Sequence, residues 1–261
     1  MSNPKKNKLL SIYLKMERSK DHLEQIILLN EKYRRVDCKV VFTEDHEKGI
    51  GYFVINLPKP PLTISALVGD CLHNLRPILD YLVWQMVISN PPNKPNKRNL
   101  FPICNTHKDF DSQVEGKRLS GIPKSAIEII KQFQPFNDTY HPLALLNELY
   151  NADKHRDLNF TIAVASDLDI SFIRDGQVFL RTILGNDEVR DGAIFGNVGI
   201  PLSMLPSRTE VKIHSEAKGF IAFENFVSRW GDAINVVDSL DMIRDLIGDE
   251  IIPALEPFIK S

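Results

Sequence analysis

The sequence predicts an α+β protein with a helical core and a mainly antiparallel β-sheet. Three observations predict this class. Apolar residues recur every three or four positions near both ends and in the centre of the chain, which is typical of helices. Between residues 158 and 226 apolar and polar residues alternate, which is typical of strands. The two patterns are segregated along the chain, which favours α+β over a parallel α/β fold.

The first part of the chain, about residues 1–157, contains most of the predicted helical core. A long helix is expected from about residue 4 to residue 35, because Pro4 suits a first-turn position and apolar residues follow with helical spacing. Two β-rich stretches within 38–57 flank a polar segment and predict a hairpin. The other helices of this part each begin beside a proline and are expected at 62–88, 123–133 and 142–157.

The second part of the chain is predicted to form the sheet and to end in a helix. Asp175 and Gly176 indicate a tight turn between two strands, and Lys218 with Gly219 suggests another. An amphipathic helix is expected over 232–259, because apolar residues again follow helical spacing. The strands are expected at 159–165, 169–174, 178–184, 209–214 and 220–226. We expect the 261 residues to form a single α+β domain.

Composition excludes several classes of protein. The chain is 43% hydrophobic and 25% charged, with a formal net charge of -2, which excludes a disordered, collagen-like or disulfide-rich protein. The cysteines Cys38, Cys71 and Cys104 form no CxxC pair, so we expect free thiols in a reducing compartment. No signal-peptide pattern and no apolar stretch long enough for a bilayer is visible. These features predict a cytoplasmic protein without membrane association.

The two ends of the chain differ in charge. Residues 1–35 hold nine Lys/Arg and four Asp/Glu, whereas residues 229–261 hold three Lys/Arg and seven Asp/Glu. Two oppositely charged terminal helices are expected to pack side by side. The alternative interpretation is a basic arm that contacts phosphates. Packing of the two terminal helices is favoured over a basic arm, because the basic residues alternate with acids as on a solvated helix face.

The helix predicted at 62–88 has an unusual polar side. On an ideal helix its apolar residues fall on one side, and its polar residues fall on the other: Asp70, His73, Asn74, Arg76 and Asp80. This side lacks Lys and Glu and uses short or planar groups suited to fixed hydrogen bonds. Arg76 and Asp80 are four residues apart and can pair. Trp84 continues the same side, so we expect it to be covered by other parts of the fold.

A second polar motif ends the helix predicted at 142–157. Three of its residues follow at four-residue steps and form one row: Asn147, Asn151 and His155. Asp153, Lys154 and Arg156 surround the end of that row. The two motifs predict a shared polar site in which His73, Arg76, Asp70 and Asp80 face Asn151, Asp153, His155 and Arg156. The alternative is a buried hydrogen-bond and ion-pair network that fixes helix registry.

The two motifs resemble a family of uncharacterised bacterial proteins. The runs that carry the resemblance are GDxLHNLRxxLDxLVW at residues 69–84 and NxDKHR at residues 151–156, with FPI at 101–103 and QPF at 134–136. The resemblance covers about residues 60–160. It implies a shared fold group and no particular activity.

The motif pair is also distantly similar to the helical HEPN (higher eukaryotes and prokaryotes nucleotide-binding) ribonucleases. Those proteins carry an Arg, a gap of four to six residues and then a His on a helix. In this chain Arg208 and His214 have that spacing, but they lie in a predicted strand. The similarity implies that His and Arg on two core helices bind or cleave RNA without a cofactor.

The first functional hypothesis is therefore metal-independent RNA cleavage. His73 or His155 would serve as general acid or base, because imidazole titrates near neutral pH. Arg76 or Arg156 would stabilise charge on the phosphate in the transition state. RNA and a second copy of this chain are the expected partners.

A predicted surface loop could add to such a site. Residues 90–99 are rich in Pro, Asn and Lys. Lys94, Lys97 and Arg98 in this loop could contact phosphates, although three cations in a loop are more often simply solvated.

Two other hypotheses stay open. A metal site is the first, since Asp70 with His73 and Asp153 with His155 supply suitable ligands. It has little support, because the chain has no HExxH motif. The second is a non-catalytic binding module whose motif residues only hold the core together. No P-loop, GxGxxG or GxSxG motif is present, and no cofactor is expected.

Overall fold

The computed structural model has an α+β fold, as the sequence predicts. It describes residues 4–33, 39–138, 141–155, 158, 160–190, 194–204, 210–215, 218–223 and 234–259. The chain divides into two compact units. The first contains the described residues of 1–26, 63–158 and 237–261, and the second those of 27–62 and 159–236. That the whole chain acts as one domain stays a prediction.

The first unit is helical. Each predicted helix begins and ends within a few residues of its expected position, whereas α3, His107–Glu115, lies where no helix is predicted. Helix α2 buries Leu72, Leu75, Leu79 and Leu82 at a spacing of three or four residues, which places them on one side. Helix α5 contributes Leu143, Leu146 and Leu149 to the core in the same way. In chain order, the first five helices are α1 Pro4–Glu31, α2 Thr63–Ile88, α3 His107–Glu115, α4 Lys124–Gln132 and α5 Pro142–His155.

The C-terminal segment is helical, as predicted, but it is not one regular α-helix. Helix α6, Val236–Asp245, continues into a π-helical turn, Leu246–Ile251, and a short helix α7, Ile252–Leu255. A 3₁₀ turn, Glu256–Phe258, follows. Pro253 lacks the N–H that a continuous α-helix requires, so the helical hydrogen-bond pattern is interrupted around this position.

The two terminal helical segments contact each other, as their charges predict, but one contact is apolar. A Cβ on Gly248 would lie 2.9 Å from Cε of Met16, so the absence of a side chain at residue 248 permits this approach. Tyr13 lies beside Glu256, and burial together with that carboxylate raises the pKa of the tyrosine. The two segments therefore contact each other through apolar packing and through the hydrogen bond between Tyr13 and Glu256.

The second unit contains two antiparallel sheets. The predicted hairpin is confirmed as β1, Lys39–Asp45, and β2, Ile50–Asn56, and β2 also pairs with β5, Ile194–Pro201. The strands of the other sheet are β3 Phe160–Arg174, β4 Gln177–Arg190, β6 Glu210–Ser215, β7 Lys218–Phe223 and β8 Ile234–Asn235. Their order is β4-β3-β7-β8, and β6 also pairs with β3.

One of the two predicted turns is confirmed and the other is wrong. Asp175 and Gly176 have φ values of 50° and 77° and join β3 to β4, as a tight hairpin turn requires. Lys218 and Gly219 instead lie in β7, where they pair with Ala165 and Val164 of β3. The two strands expected at 159–165 and 169–174 are one continuous strand from residue 160. No helix in the described part of the chain is long and apolar enough to cross a membrane.

Candidate active site

The two motif helices meet at a histidine and an aspartate. His73 of α2 and Asp153 of α5 are joined by a 2.9 Å contact between Nε2 and Oδ2. The His73 side chain is 47% exposed, whereas that of Asp153 is only 16% exposed. The carboxylate is thus largely withdrawn from solvent and the imidazole is accessible, which is the arrangement of a carboxylate that orients a histidine.

A glycine makes this contact possible. Gly69 lies one helical turn before His73, on the face of α2 that meets α5. A Cβ on Gly69 would lie 2.9 Å from Oδ1 and 3.2 Å from Oδ2 of Asp153. The Asp153 carboxylate therefore occupies space that any other residue at position 69 would fill. Glycine weakens a helix interior relative to alanine, so its presence here is explained by this close approach.

An aromatic residue and a lysine stand beside the pair. The Tyr150 ring meets the His73 ring edge-on, with centroids 5.0 Å apart. Nζ of Lys154 lies 3.9 Å from the centroid of the Tyr150 ring, a cation–π contact. Tyr150 therefore packs against His73 and also holds the Lys154 ammonium group within the same cluster. We call His73, Asp153, Tyr150 and Lys154 the dyad cluster.

Arg76 and Asp80 form a separate, closed network. Nη1 of Arg76 donates to Oδ1 of Asp80 at 2.8 Å, and Nη2 donates to the carbonyl of Phe101 at 3.0 Å. The same Asp80 oxygen accepts the backbone N–H of Phe101 at 2.8 Å. The Arg76 side chain is only 11% exposed. These bonds attach the extended segment that contains Phe101 to α2, so Arg76 is engaged as a structural group.

Gln134 extends the same kind of attachment. Its fully buried side-chain amide accepts the N–H of Cys104 and donates to the carbonyls of Pro102 and Ile130, each at 3.0 Å. The FPI and QPF runs therefore contribute to a buried backbone-to-side-chain network. For these residues the structure favours the network interpretation of the motifs.

The remaining candidate residues are more dispersed. Asn74 donates from Nδ2 to the backbone carbonyl of Asp70 at 2.8 Å, so this asparagine bonds within its own helix. The Asp70, Asn151 and His155 side chains are exposed and Asn147 is half-buried, with no hydrogen bond of these four side chains recorded within the described residues. Arg156 lies outside the described residues. His155 follows Asp153 by two positions, about 200° around α5, so it belongs to the opposite face of that helix.

The structure also bears on the predictions made for Trp84 and for the pair Arg208 and His214. Trp84 was expected to be covered, but it is 41% exposed, because the polar side of α2 is open at this position. That expectation is wrong. Of the spaced pair Arg208 and His214, the first lies outside the described residues, and the second lies in strand β6 as predicted.

The described cysteines are not placed as nucleophiles. Cys71 is 1% exposed, and its thiol faces the carbonyl of Ser19 at 3.6 Å. Burial raises the pKa of the Cys71 thiol to about 12, and burial also raises the pKa of Cys104. Both thiols are free. No three His, Cys, Asp or Glu side chains group as metal ligands within the part of the chain that the structure describes.

Sequence reasoning missed Tyr150 of the dyad cluster and Gly69, which lies beside the cluster. Gly69 carried a signal, since a glycine in the middle of an otherwise apolar helix often marks a close approach of another group. Tyr150 is half-buried and its ring lies against His73, a contact that no local sequence pattern indicates. Comparison of the chain with protein-family models, with curated proteins and with solved structures finds no match.

Proposed function

We propose that the protein cleaves single-stranded RNA without a metal ion, with His73 as the general base. The observation that carries this proposal is the contact between an exposed imidazole and a largely buried carboxylate, His73 with Asp153. A histidine held by a carboxylate is a common acid–base device, because the carboxylate fixes the ring and stabilises its protonated form. The distant similarity to HEPN ribonucleases supports RNA as the substrate class.

The proposed roles follow from the hydrogen bond. Nε2–H of His73 donates to Asp153, which leaves the lone pair of Nδ1 free to accept a proton from a ribose 2′-hydroxyl. The resulting 2′-oxygen attacks the adjacent phosphorus, and the 5′-oxygen leaves and takes a proton from water. The products are a 2′,3′-cyclic phosphate and a 5′-hydroxyl. Lys154 supplies positive charge beside the reacting phosphate.

The geometry changes the roles expected from the sequence. Arg76 has no phosphate-binding role in this proposal, because Asp80 and Phe101 engage its guanidinium group. His155 has no role in proton transfer, because it belongs to the far face of α5. The proposal therefore rests on one histidine and differs from the spaced Arg and His pair of HEPN ribonucleases.

The test is the cleavage of single-stranded RNA by wild type and by His73→Gln in a chelating buffer. We expect the variant to lose activity by about 100-fold or more, which is the usual contribution of a general base. A substrate with one 2′-deoxy ribose at the scissile position should resist cleavage there. Equal activity of wild type and variant, or cleavage at the deoxy position, would contradict the proposal.

A matched control is available in another exposed histidine. Nε2 of His46 contacts Oε2 of Glu44 at 3.3 Å, so this pair resembles His73 and Asp153 in chemistry. Both of its side chains are well exposed. His46→Gln should leave cleavage unchanged. Loss of activity in both variants would indicate an effect of histidine removal unrelated to the dyad cluster.

A second candidate function is a non-catalytic binding module. The closed network of Arg76, Asp80, Phe101 and Gln134 favours it, because these motif residues are satisfied by the protein itself. This function predicts that His73→Gln changes neither an enzymatic activity nor a reaction product.

We also propose a cytoplasmic location, which is consistent with the free thiols of Cys71 and Cys104. Self-association of the chain is a separate proposal, and sedimentation would measure it.

A further inference from the structure

An exposed stripe runs along α2 away from the dyad cluster. At 100° per residue, His73, Tyr81, Trp84 and Ile88 fall within an arc of about 80°. All four side chains are exposed, Trp84 at 41% and Tyr81 at 39%. Exposed apolar side chains that adjoin on one face often mark an interaction site, whereas scattered ones do not. Nζ of Lys15 from α1 lies 5.8 Å from the Tyr81 ring centroid and adds a cation beside the stripe.

Two cationic loops lie beyond the end of this stripe. Residues 90–106 contain three Lys/Arg, residues 116–123 contain two, and neither loop contains Asp or Glu. Lys94, Lys97 and Arg98 are exposed, and no ion pair of theirs is found with any described carboxylate. In a chain with a net charge of -2, such a concentration of unpaired cations is a local feature.

The two loops are attached to each other by asparagine side chains. Nδ2 of Asn99 donates to the carbonyls of Arg118 and Ser120, and Nδ2 of Asn90 donates to the carbonyl of Gly121. Lys117 adopts φ of 68°, a conformation that a tight turn imposes. The bonds hold the two loops against each other, so the exposed cations Lys94, Lys97, Arg98 and Lys117 lie on adjoining segments.

From the stripe and the loops we infer that single-stranded RNA binds along α2, from the dyad cluster to the two cationic loops. The inference rests on the proposed function for its choice of RNA. Exposed aromatic rings followed by unpaired cations are the two elements that single-strand binding requires, since bases stack on the rings and phosphates contact the cations. Trp84 would stack a base, and Lys94, Lys97 and Arg98 would contact phosphates.

The length of α2 determines how long an RNA must be to contact both the dyad cluster and the two loops. Fifteen residues separate His73 from Ile88, which is about 22 Å along the axis. At about 3.4 Å or more per phosphate, a strand of roughly seven nucleotides or fewer covers this distance. An RNA of about twelve nucleotides should therefore reach both the dyad cluster and the loops, whereas one of about two nucleotides should not, even when it is fully extended.

The test measures binding of a fluorescent RNA of about twelve nucleotides to His73→Gln protein, which leaves the RNA intact. In that background, Trp84→Ala should weaken binding by about fivefold or more, and Trp84→Phe should restore most of it. The triple change Lys94→Gln, Lys97→Gln and Arg98→Gln should reduce the slope of log affinity against log salt by about 2. Neither change should affect the weak binding of the short RNA.

A matched control separates a local surface from overall charge. Arg18→Gln, Lys20→Gln and Lys212→Gln together remove three exposed cations elsewhere in the chain. This variant should keep its affinity for the twelve-nucleotide RNA within about twofold. An equal loss in both triple variants would overturn the inference, because attraction would then depend on net charge alone.

The outcomes distinguish this inference from the proposed function. Normal cleavage by wild type with unchanged binding in the Trp84 and loop variants would overturn the inference and leave the proposed function intact. Absence of His73-dependent cleavage with the expected binding losses would overturn only the proposed function. Binding to vesicles containing phosphatidylserine, lost in the loop variant, together with no binding to RNA would overturn the inference in favour of a membrane surface.

Discussion

The carboxylate of Asp153 lies where a side chain at Gly69 would be: a Cβ on that glycine would approach Oδ1 to 2.9 Å. The same carboxylate holds Nε2 of His73 at 2.9 Å through its other oxygen. A methyl group at residue 69 would therefore displace Asp153 from His73, while the helix itself would gain from replacing glycine by alanine. A substitution at residue 69 can therefore change the geometry of the dyad cluster without destabilising α2.

The first prediction concerns Gly69→Ala. The displaced carboxylate belongs to a side chain that can rotate, so we expect the free energy of unfolding to change by less than about 1 kcal/mol. RNA cleavage should fall by about 100-fold, because a shift of about 1 Å in a catalytic group can have an effect of this size. Denaturant unfolding and a cleavage assay check the two parts. An unstable variant, or a stable one with full activity, would show that Gly69 serves packing only.

The second prediction concerns the closed network at Asp80. Asp80→Ala leaves the Arg76 guanidinium and the Phe101 N–H without their partner in a largely buried place. We expect a loss of about 2 to 3 kcal/mol in the free energy of unfolding, below the usual range for breaking a fully buried pair, since Asp80 is 25% exposed.

The control for this prediction is an exposed ion pair. Arg18 and Asp21 lie 3.6 Å apart with both side chains more than half exposed. Asp21→Ala should therefore cost less than about 1 kcal/mol. Replacing both Arg76 and Asp80 by leucine should recover part of the loss, because no unpaired charge then remains buried. A double variant less stable than Asp80→Ala would argue against this account.

Helix positions could be predicted because they depend on local features of the sequence. The apolar spacing within 62–88 predicts which face of α2 is buried, and the proline at the start of α5 predicts where that helix begins. The hairpin at Asp175 and Gly176 is local in the same sense. Helix α3 was missed, because Phe110 is its one buried residue and its two apolar residues, Phe110 and Val114, are too few for a periodic pattern.

Features that depend on distant residues could not be predicted. Strand β5 pairs with β2 although well over a hundred residues separate them, and nothing in either strand names its partner. The sequence identifies the polar side of α2, but it does not indicate which partner each polar residue contacts. His73 and Arg76 are three residues apart, and one contacts Asp153 while the other reaches the carbonyl of Phe101. Periodicity identifies a face, whereas the partner of a long side chain depends on what packs there.

The third prediction concerns Gln134. Its amide makes three hydrogen bonds to backbone groups and is fully buried. Gln134→Leu would leave the N–H of Cys104 and the carbonyl of Pro102 without this partner, so we expect a loss of about 3 kcal/mol in the free energy of unfolding. Gln132→Leu, at the exposed last residue of α4, is the control and should change stability by less than about 0.5 kcal/mol. Similar effects of both changes would contradict the assignment.

The fourth prediction is a pH dependence that originates at His141. This side chain caps α5, since its Nδ1 accepts the N–H of Leu143 at 3.2 Å. Burial lowers the pKa of His141, and the nearby carboxylates of Asp138 and Glu250 oppose this effect only in part. Protonation of Nδ1 would also remove the acceptor, so the folded protein favours the neutral ring.

The sign follows from which state takes up the proton. In the unfolded chain His141 titrates near its ordinary pKa of about 6.5, whereas in the folded protein it titrates lower. Below about pH 6.5 the unfolded state therefore binds more protons, and the free energy of unfolding falls as the pH falls. His141→Asn keeps a capping oxygen without a titrating group. The stability difference between wild type and His141→Asn, measured by denaturant unfolding, should shift against wild type between about pH 7.5 and pH 5. A difference that is constant over this range would show that His141 does not titrate with folding.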